Sequence, residues 1–313
     1  MKLIRGLYNL RQPLPASAVT IGNFDGVHRG HQLVISQLQR VAAEASLPTV
    51  VIIFEPQPIE YFAPGKAPKR LARFREKIAY LKAHKIDYLL CLHFDQALAE
   101  QSAENFVRDI LIDSLNTRHL VIGDDFHFGR NRQGNFGYLQ QNSERFGFTV
   151  DETETLMEDG ERVSSTRIRH CIEQGDFDKA AQLLGRPYSL SGRVAHGQKL
   201  GRELGYPTIN IKMGDKTLIV KGIFAVRVKG IDNRVLEGVA SIGTRPTVAG
   251  VDTILEVYIL DFDQDVYGYS VEVEFLHKIR DEKKFDSLEE LTVNIGRDTE
   301  NAIAYFKRDT AVG

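Results

Sequence analysis

The sequence predicts an α/β protein in two parts. A mostly parallel sheet covered by helices runs to about residue 185, and a small antiparallel β-barrel or sandwich closed by a helix follows. Three observations carry this. Short apolar runs alternate with helix-periodic segments through the first part, which is the βαβα order of a parallel sheet. After Pro187 the rhythm changes to short strands between glycine-rich turns, with clean alternation in VEVEF (271–275). Finally, 313 residues at 42% hydrophobic and 26% charged suffice for two cores.

Taken in order, Ala18–Ile21 reads as a buried strand, and Leu33, Val34, Leu38, Val41 and Ala42 then recur at helical spacing within 30–43. VVIIF (50–54) is a strand, 74–83 a helix, DYLLCL (87–92) a strand, and 104–115 a helix. HLVIG (119–123) is a strand, 136–146 a helix, and FTV (148–150) starts another strand. SSTRIRHCIEQG (164–175) opens on a Ser/Thr cap and stops at Gly175. A helix over 177–184 ends at GRP (185–187), which places the boundary near Gly185–Tyr188 and the domains at 1–185 and 186–313. Beyond it SLSGRVAHG, GIFAVRV, VLEGVASIG, TILEVYILDF and YSVEVEFL read as strands. Ser287–Phe306 reads as a helix, with Ser287 and Glu290 spaced as a capping box.

A net charge of −2 forces no nucleic-acid or anionic-membrane partner, so any phosphate site must be a local feature. Two cysteines, Cys91 and Cys171, make neither a disulfide framework nor a zinc quartet and fit a reducing cytosol. MKLIRGLYNLRQ reads as no signal peptide, and no window approaches eighteen apolar residues. The expectation is a cytoplasmic protein with small-molecule partners, neither nucleic acid nor membrane.

Chemistry concentrates in a few stretches. TIGNFDGVHRGH (20–31) sits where a strand hands over to a helix. Ligands collect at the carboxyl ends of parallel strands, and helix N-termini attract anions. Gly22, Gly26 and Gly30 would let amides approach phosphate oxygens, and His28 and His31, one turn apart, would point the same way. A lone histidine there is usually a cap or a surface residue. A pair at i, i+3 is also compatible with a metal, yet no third ligand stands nearby in an obvious pattern. FEPQP (54–58) stiffens a loop, VIGDDFHFGRNRQG (121–134) sets Asp125 among aromatics, and SSTRIR (164–169) puts hydroxyls and two arginines at a helix start. In the second part GRELGYPTIN (201–210), SIGTRPTV (241–248), LEVYILDFDQDVYG (255–268) and FDSLEEL with Asp298 stand out. There is no G-x-x-x-x-G-K-[ST].

Together these stretches resemble the bacterial bifunctional riboflavin kinase/FAD synthetases, over about Gly6 to Phe306. GNFDGVHRGH is similar to the HxGH signature of nucleotidyltransferases. The resemblance implies a Rossmann-like nucleotidyltransferase domain followed by a β-barrel kinase domain. Riboflavin would be phosphorylated to FMN, and FMN adenylylated to FAD with release of pyrophosphate, each step using ATP and Mg²⁺. It implies ATP and phosphate contacts from Gly22, Phe24, Asp25, Gly26, Gly30, Ser165, Thr166, Arg167 and Arg169, with His28 and His31 catalytic. It implies flavin contacts from Phe54, Pro56, Pro58, Phe62, Asp125 and Phe128. In the kinase half it implies ATP or flavin contacts from Gly201, Gly205, Tyr206, Pro207 and Arg245, magnesium and phosphate contacts from Thr208 and Asn210, and Glu256 as general base. The departures are Ile209, where alanine is usual, and Asn294, where glutamine is frequent. Thr208 and Asn210, two apart on an extended segment, would share a face with Ile209 on the other, so the first departure concerns packing. Two other readings stand beside this one: a nucleotidyltransferase for another acceptor, and a flavin-binding regulator without turnover.

Overall fold

The structure is a computed structural model. It describes residues 1–197, 200–214, 218–247 and 250–312, and within these all side chains except those of 200, 244–247, 250–252 and 309–312. The chain divides into two compact units, Met1–Pro68 with Ala72–Ser165, and Lys69–Leu71 with Thr166–Gly313.

The first unit holds a six-stranded parallel sheet: β1 (Lys2–Arg5), β2 (Ser17–Ile21), β3 (Thr49–Glu55), β4 (Tyr88–His93), β5 (Thr117–Gly123) and β6 (Thr149–Thr153). The order is β1-β4-β3-β2-β5-β6. Both faces are covered, which is why VVIIF is continuously apolar rather than alternating. Val50, Ile52 and Phe54 enter one core with Phe106 and Leu139, while Val51 and Ile53 enter the other with Ile35, Leu38 and Val41. The chain steps outward from β2 to β3 and β4, then returns to lay β5 on the other side of β2. That reversal opens a crevice at the carboxyl ends of β2 and β5, where open α/β sheets bind ligands. Edge strand β1 is too short and too polar to stand out in the sequence.

The helices of this unit are α1 (Arg29–Glu44), α2 (Pro58–Phe62), α3 (Phe74–Ala83), α4 (Gln96–Glu100), α5 (Ala103–Asn105) and α6 (Phe136–Phe146). The segment expected as a helix over 104–115 is not a plain α-helix. α5 runs into a π-helical stretch, Phe106–Ile112, and the Asp113 and Leu115 amides donate to carbonyls five residues back. A hairpin, β7 (Met157–Glu158) and β8 (Glu161–Arg162), ends the unit.

Helices α7 (Ser165–Gln174) and α8 (Phe177–Leu184) follow. Beyond Ser165 they belong to the second unit, so the compact units divide well before residue 185. The reason is aromatic packing: buried Phe177 lies 5.6 Å from the Phe224 ring and 6.1 Å from that of Phe275. Six strands, β9 (Tyr188–Ala195), β10 (Thr208–Gly214), β11 (Gly222–Lys229), β12 (Leu236–Thr247), β13 (Gly250–Ile259) and β14 (Ser270–Arg280), close into a barrel ordered β10-β13-β12-β11-β14-β9. Short α9 (Leu200–Glu203) precedes β10, and α10 (Leu288–Val312) follows the barrel. Ser287 caps α10 by accepting from the Glu290 amide at 3.1 Å. Among the described residues no helix is long and apolar enough to cross a membrane.

Candidate functional sites

In the first unit the GNFDG turn leaves β2 with the Gly22 amide bonded to the Ile52 carbonyl at 3.1 Å. Phe24, Gly26 and Val27 all take positive φ, at 47°, 79° and 43°, so the chain folds back tightly before α1. His28 is the N-cap of α1, its Nδ1 accepting from the His31 amide at 3.3 Å. That bond leaves the ring proton on Nε2. The two imidazoles stack, 3.6 Å between centroids and 18° between planes. Gly30 packs closely against this pair: a Cβ there would lie 3.1 Å from the His28 ring. Phe24 packs 5.0 Å from His31. The Nδ1 atom of His31 is sealed from solvent and has no hydrogen-bond partner. Burial first, then the charges of His28, Lys77 and Arg162, hold the His31 pKa well below its usual value, so this ring is neutral at pH 7.

The other nominated residues take mixed positions. Asp25 is buried and its Oδ1 accepts from the Ala72 amide at 3.3 Å, so it braces the turn. Ser165 donates to the Asp25 carbonyl at 3.0 Å. Thr166, Arg167 and Arg169 lie on α7 within the second unit, where Arg169 Nε donates to the Lys69 carbonyl at 2.6 Å. Phe54 and Phe128 are buried, and Phe128 sits in the core against Phe106 and Phe126. Phe62 is the exposed ring at 65%, grouped edge-to-face with Tyr61 and Phe94. Pro56 and Pro58 flank Gln57, whose buried Nε2 has no partner, and Pro58 opens α2. Asp125 faces solvent and pairs with Arg162 at 3.1 Å, while Asp124 takes the same guanidinium at 2.8 Å.

Sequence reasoning missed Arg162, Gln57, Tyr61, Phe94 and Lys77 in this unit. Lys77 is fully buried on α3, and no local pattern ties it to a loop 54 positions earlier.

In the second unit β10 and β13 pair so that Asn210 stands directly opposite Glu256, and Thr208 opposite Tyr258. Ser241 faces Glu256 from β12. Ile209 is turned into the barrel core, 9% exposed. Thr208, Asn210 and Glu256 line a cavity of about 290 Å³ with Tyr206, Tyr258 and, from α10, Ile295. Its floor includes Arg280, held by Asp298 through two bonds of 2.8 and 2.7 Å. Neither member of that pair was singled out as a site residue. Gly201 is pressed against the chain: a Cβ there would meet the Tyr206 carbonyl at 2.4 Å. Gly205 has φ 85°. A second hollow of about 440 Å³ touches Thr208 and Pro207 from another side, with Arg202, Gln264 and Tyr267. The side chain of Arg245 lies outside the described residues; its backbone pairs with Asp252. Among the described residues no three His, Cys, Asp or Glu side chains group as a metal site.

A family model described as FAD synthetase matches residues 11–167, and one described as riboflavin kinase matches 184–306. The chain is 48% identical over 306 residues to the bifunctional riboflavin kinase/FMN adenylyltransferase of Haemophilus influenzae, covering 98% of this chain and 99% of that one. It is 47% identical over 307 residues to the protein of the same name from Escherichia coli K12, covering 98% of each. A Streptococcus pneumoniae crystal structure described as a macrolide-efflux protein superposes with TM-score 0.80 at 30% identity, over 96% of this chain and 98% of that one.

Proposed function

The chain belongs to the family of bifunctional riboflavin kinase/FMN adenylyltransferases and combines both activities, and we propose that FMN is made at the barrel cavity and adenylylated at the stacked histidine pair. The observation that carries the barrel assignment is the cross-strand pair of Asn210 and Glu256 with Thr208 on the same wall.

In the kinase reaction the ribityl 5′-hydroxyl attacks the γ-phosphorus of ATP, and ADP leaves. Glu256 takes the hydroxyl proton as the O–P bond forms. The aromatic and aliphatic walls given by Tyr206, Tyr258, Phe285 and Ile295 suit an isoalloxazine ring. The second hollow, with Arg202 and Gln264 on its wall, would take the nucleotide, and Thr208 borders both hollows, so the reacting groups would meet beside it. The donor set is a hydroxyl and an amide oxygen, hard ligands that suit Mg²⁺ when phosphates complete its shell. Thr208 and Asn210 would hold that ion, and bound there it would neutralise charge on the phosphates.

In the adenylyl transfer an FMN phosphate oxygen attacks the α-phosphorus of ATP and pyrophosphate leaves. The nucleophile is already an anion, so the protein's task is alignment and charge stabilisation. His28 offers Nε2–H, and the unpartnered His31 Nδ1 and Gln57 Nε2 are buried polar atoms awaiting a ligand. Exposed Phe62 with Tyr61 and Phe94 offers the flavin an aromatic face.

The test supplies pure protein with riboflavin, ATP and Mg²⁺ and resolves the flavins by chromatography. Glu256→Gln should stop FMN formation and leave FMN-to-FAD conversion intact, and His31→Ala should do the reverse. Loss of both activities from either folded variant would show that the sites are not separate. Accumulation of another adenylylated acceptor, or flavin binding without turnover, would favour the two other readings.

A further inference from the structure

The phosphate-binding turn carries no lysine in its own sequence, yet a lysine reaches it from behind. Lys77 lies on the first turn of α3, is 0% exposed, and donates from Nζ to the Asn23 carbonyl at 2.7 Å. Asn23 is itself exposed, at the outer side of GNFDG. The same stretch of chain braces the turn a second time, through the Ala72 amide on Asp25. A buried ammonium is expensive to keep, and an apolar side chain of the same length would fill that slot at less cost. Resting on the assignment of adenylyl transfer to the histidine pair, we propose that Lys77 is a positioning residue for that reaction: it fixes the GNFDG backbone and supplies, from beneath the turn, the fixed positive charge that other phosphate sites take from a lysine inside their loop.

The position carries a second consequence. After burial, the groups that lower the His31 pKa are His28 from the helix cap, Lys77 from α3 and Arg162 from β8. Each favours the neutral ring, so Lys77 helps keep His31 uncharged and its Nδ1 ready for an incoming phosphate. Arg162 is shared with Asp124 and Asp125.

The experiment compares full-length Lys77→Met and Lys77→Gln with the parent chain. Methionine removes donor and charge; glutamine removes only the charge and can still donate. In Lys77→Met the kcat for FMN adenylylation should fall about 10- to 100-fold, a loss of the size that misplacement of a catalytic loop produces. Riboflavin phosphorylation in the same sample should not change. In both variants the limb of the pH profile that disappears in His31→Ala should move to higher pH, and Lys77→Gln should recover part of the lost kcat. A loss of rate without movement of that limb would make Lys77 a mere packing residue and overturn the proposal. So would unchanged adenylylation, and so would loss of the melting transition in both variants, since a fold anchor is then all the side chain is. If His31→Ala itself leaves adenylylation intact, the assignment of the histidine site has failed instead, and the two failures are told apart.

Discussion

Gly201 lets the kinase assignment be tested by a single methyl group. An alanine there would put its Cβ 2.4 Å from the Tyr206 carbonyl oxygen and 3.4 Å from Thr208 Oγ1. The first neighbour is backbone and cannot swing aside. It is also tied in place, since the Tyr206 amide donates to the Gly201 carbonyl at 2.7 Å. Restoring ordinary contact needs about 1 Å of displacement, taken up where Pro207 leads into Thr208 and Asn210. Misplacement by that amount costs on the order of 100-fold, or about 2.7 kcal/mol of transition-state stabilisation. The prediction is a fall of that size in kcat/KM for riboflavin phosphorylation, followed by FMN appearance on a column with saturating ATP. FMN adenylylation, assayed with FMN supplied directly, should keep its parental rate. Full kinase activity in Gly201→Ala would refute the claim that the Tyr206–Asn210 segment must be held where it is. Loss of both activities would refute the separation of the sites.

Gly30→Ala should lower adenylylation about tenfold by pushing the His28 ring, 3.1 Å away, out of its stack, with the kinase unaffected; equal rates would mean the stack is incidental. Asp298→Asn should lower the melting temperature of the second unit by roughly 10 °C, because it neutralises one partner of a largely buried bidentate pair, a loss of about 3 kcal/mol; calorimetry showing no shift would remove the pair from the list of supports. His31 has a depressed pKa, so its contribution to stability is present above about pH 6.5 and is lost as pH falls toward the folded value. His31→Gln should therefore flatten the decline in stability just below that pH, measured by denaturant titration at several pH values; an unchanged slope would show that the ring is not held neutral.

Much of this arrangement was legible because it is written locally. VVIIF and Phe74–Ala83 fall within or upon observed elements, since buried strands and amphipathic helices are set by short-range patterns. The closeness of His28 and His31 was legible from their spacing of three, although His28 stands at the N-cap rather than inside the helix. The same logic placed Thr208 and Asn210 on one face with Ile209 behind them. What stayed hidden depends on distance along the chain. Lys77 meets Asn23 across 54 positions and Arg280 meets Asp298 across 18, and no periodicity announces either contact. The π-helical turn was hidden for another reason: Phe106, Val107, Ile110 and Leu111 are spaced as an ordinary helix face, and the change to five-residue bonding leaves no mark on that pattern. That α8 packs with the strands that follow it was not legible either, because the contacts of Phe177 with Phe224 and Phe275 join residues far apart in the chain.

The cavity proposed for the kinase reaction draws part of its wall from Leu291, Ile295, Asp298 and Thr299 on α10. During synthesis, therefore, the histidine turn leaves the ribosome early, while the kinase chamber lacks a side until translation has passed Thr299. A premature stop within α10 would leave the barrel strands in place and the chamber open along one wall. Such a chain would depend on FMN made by another molecule.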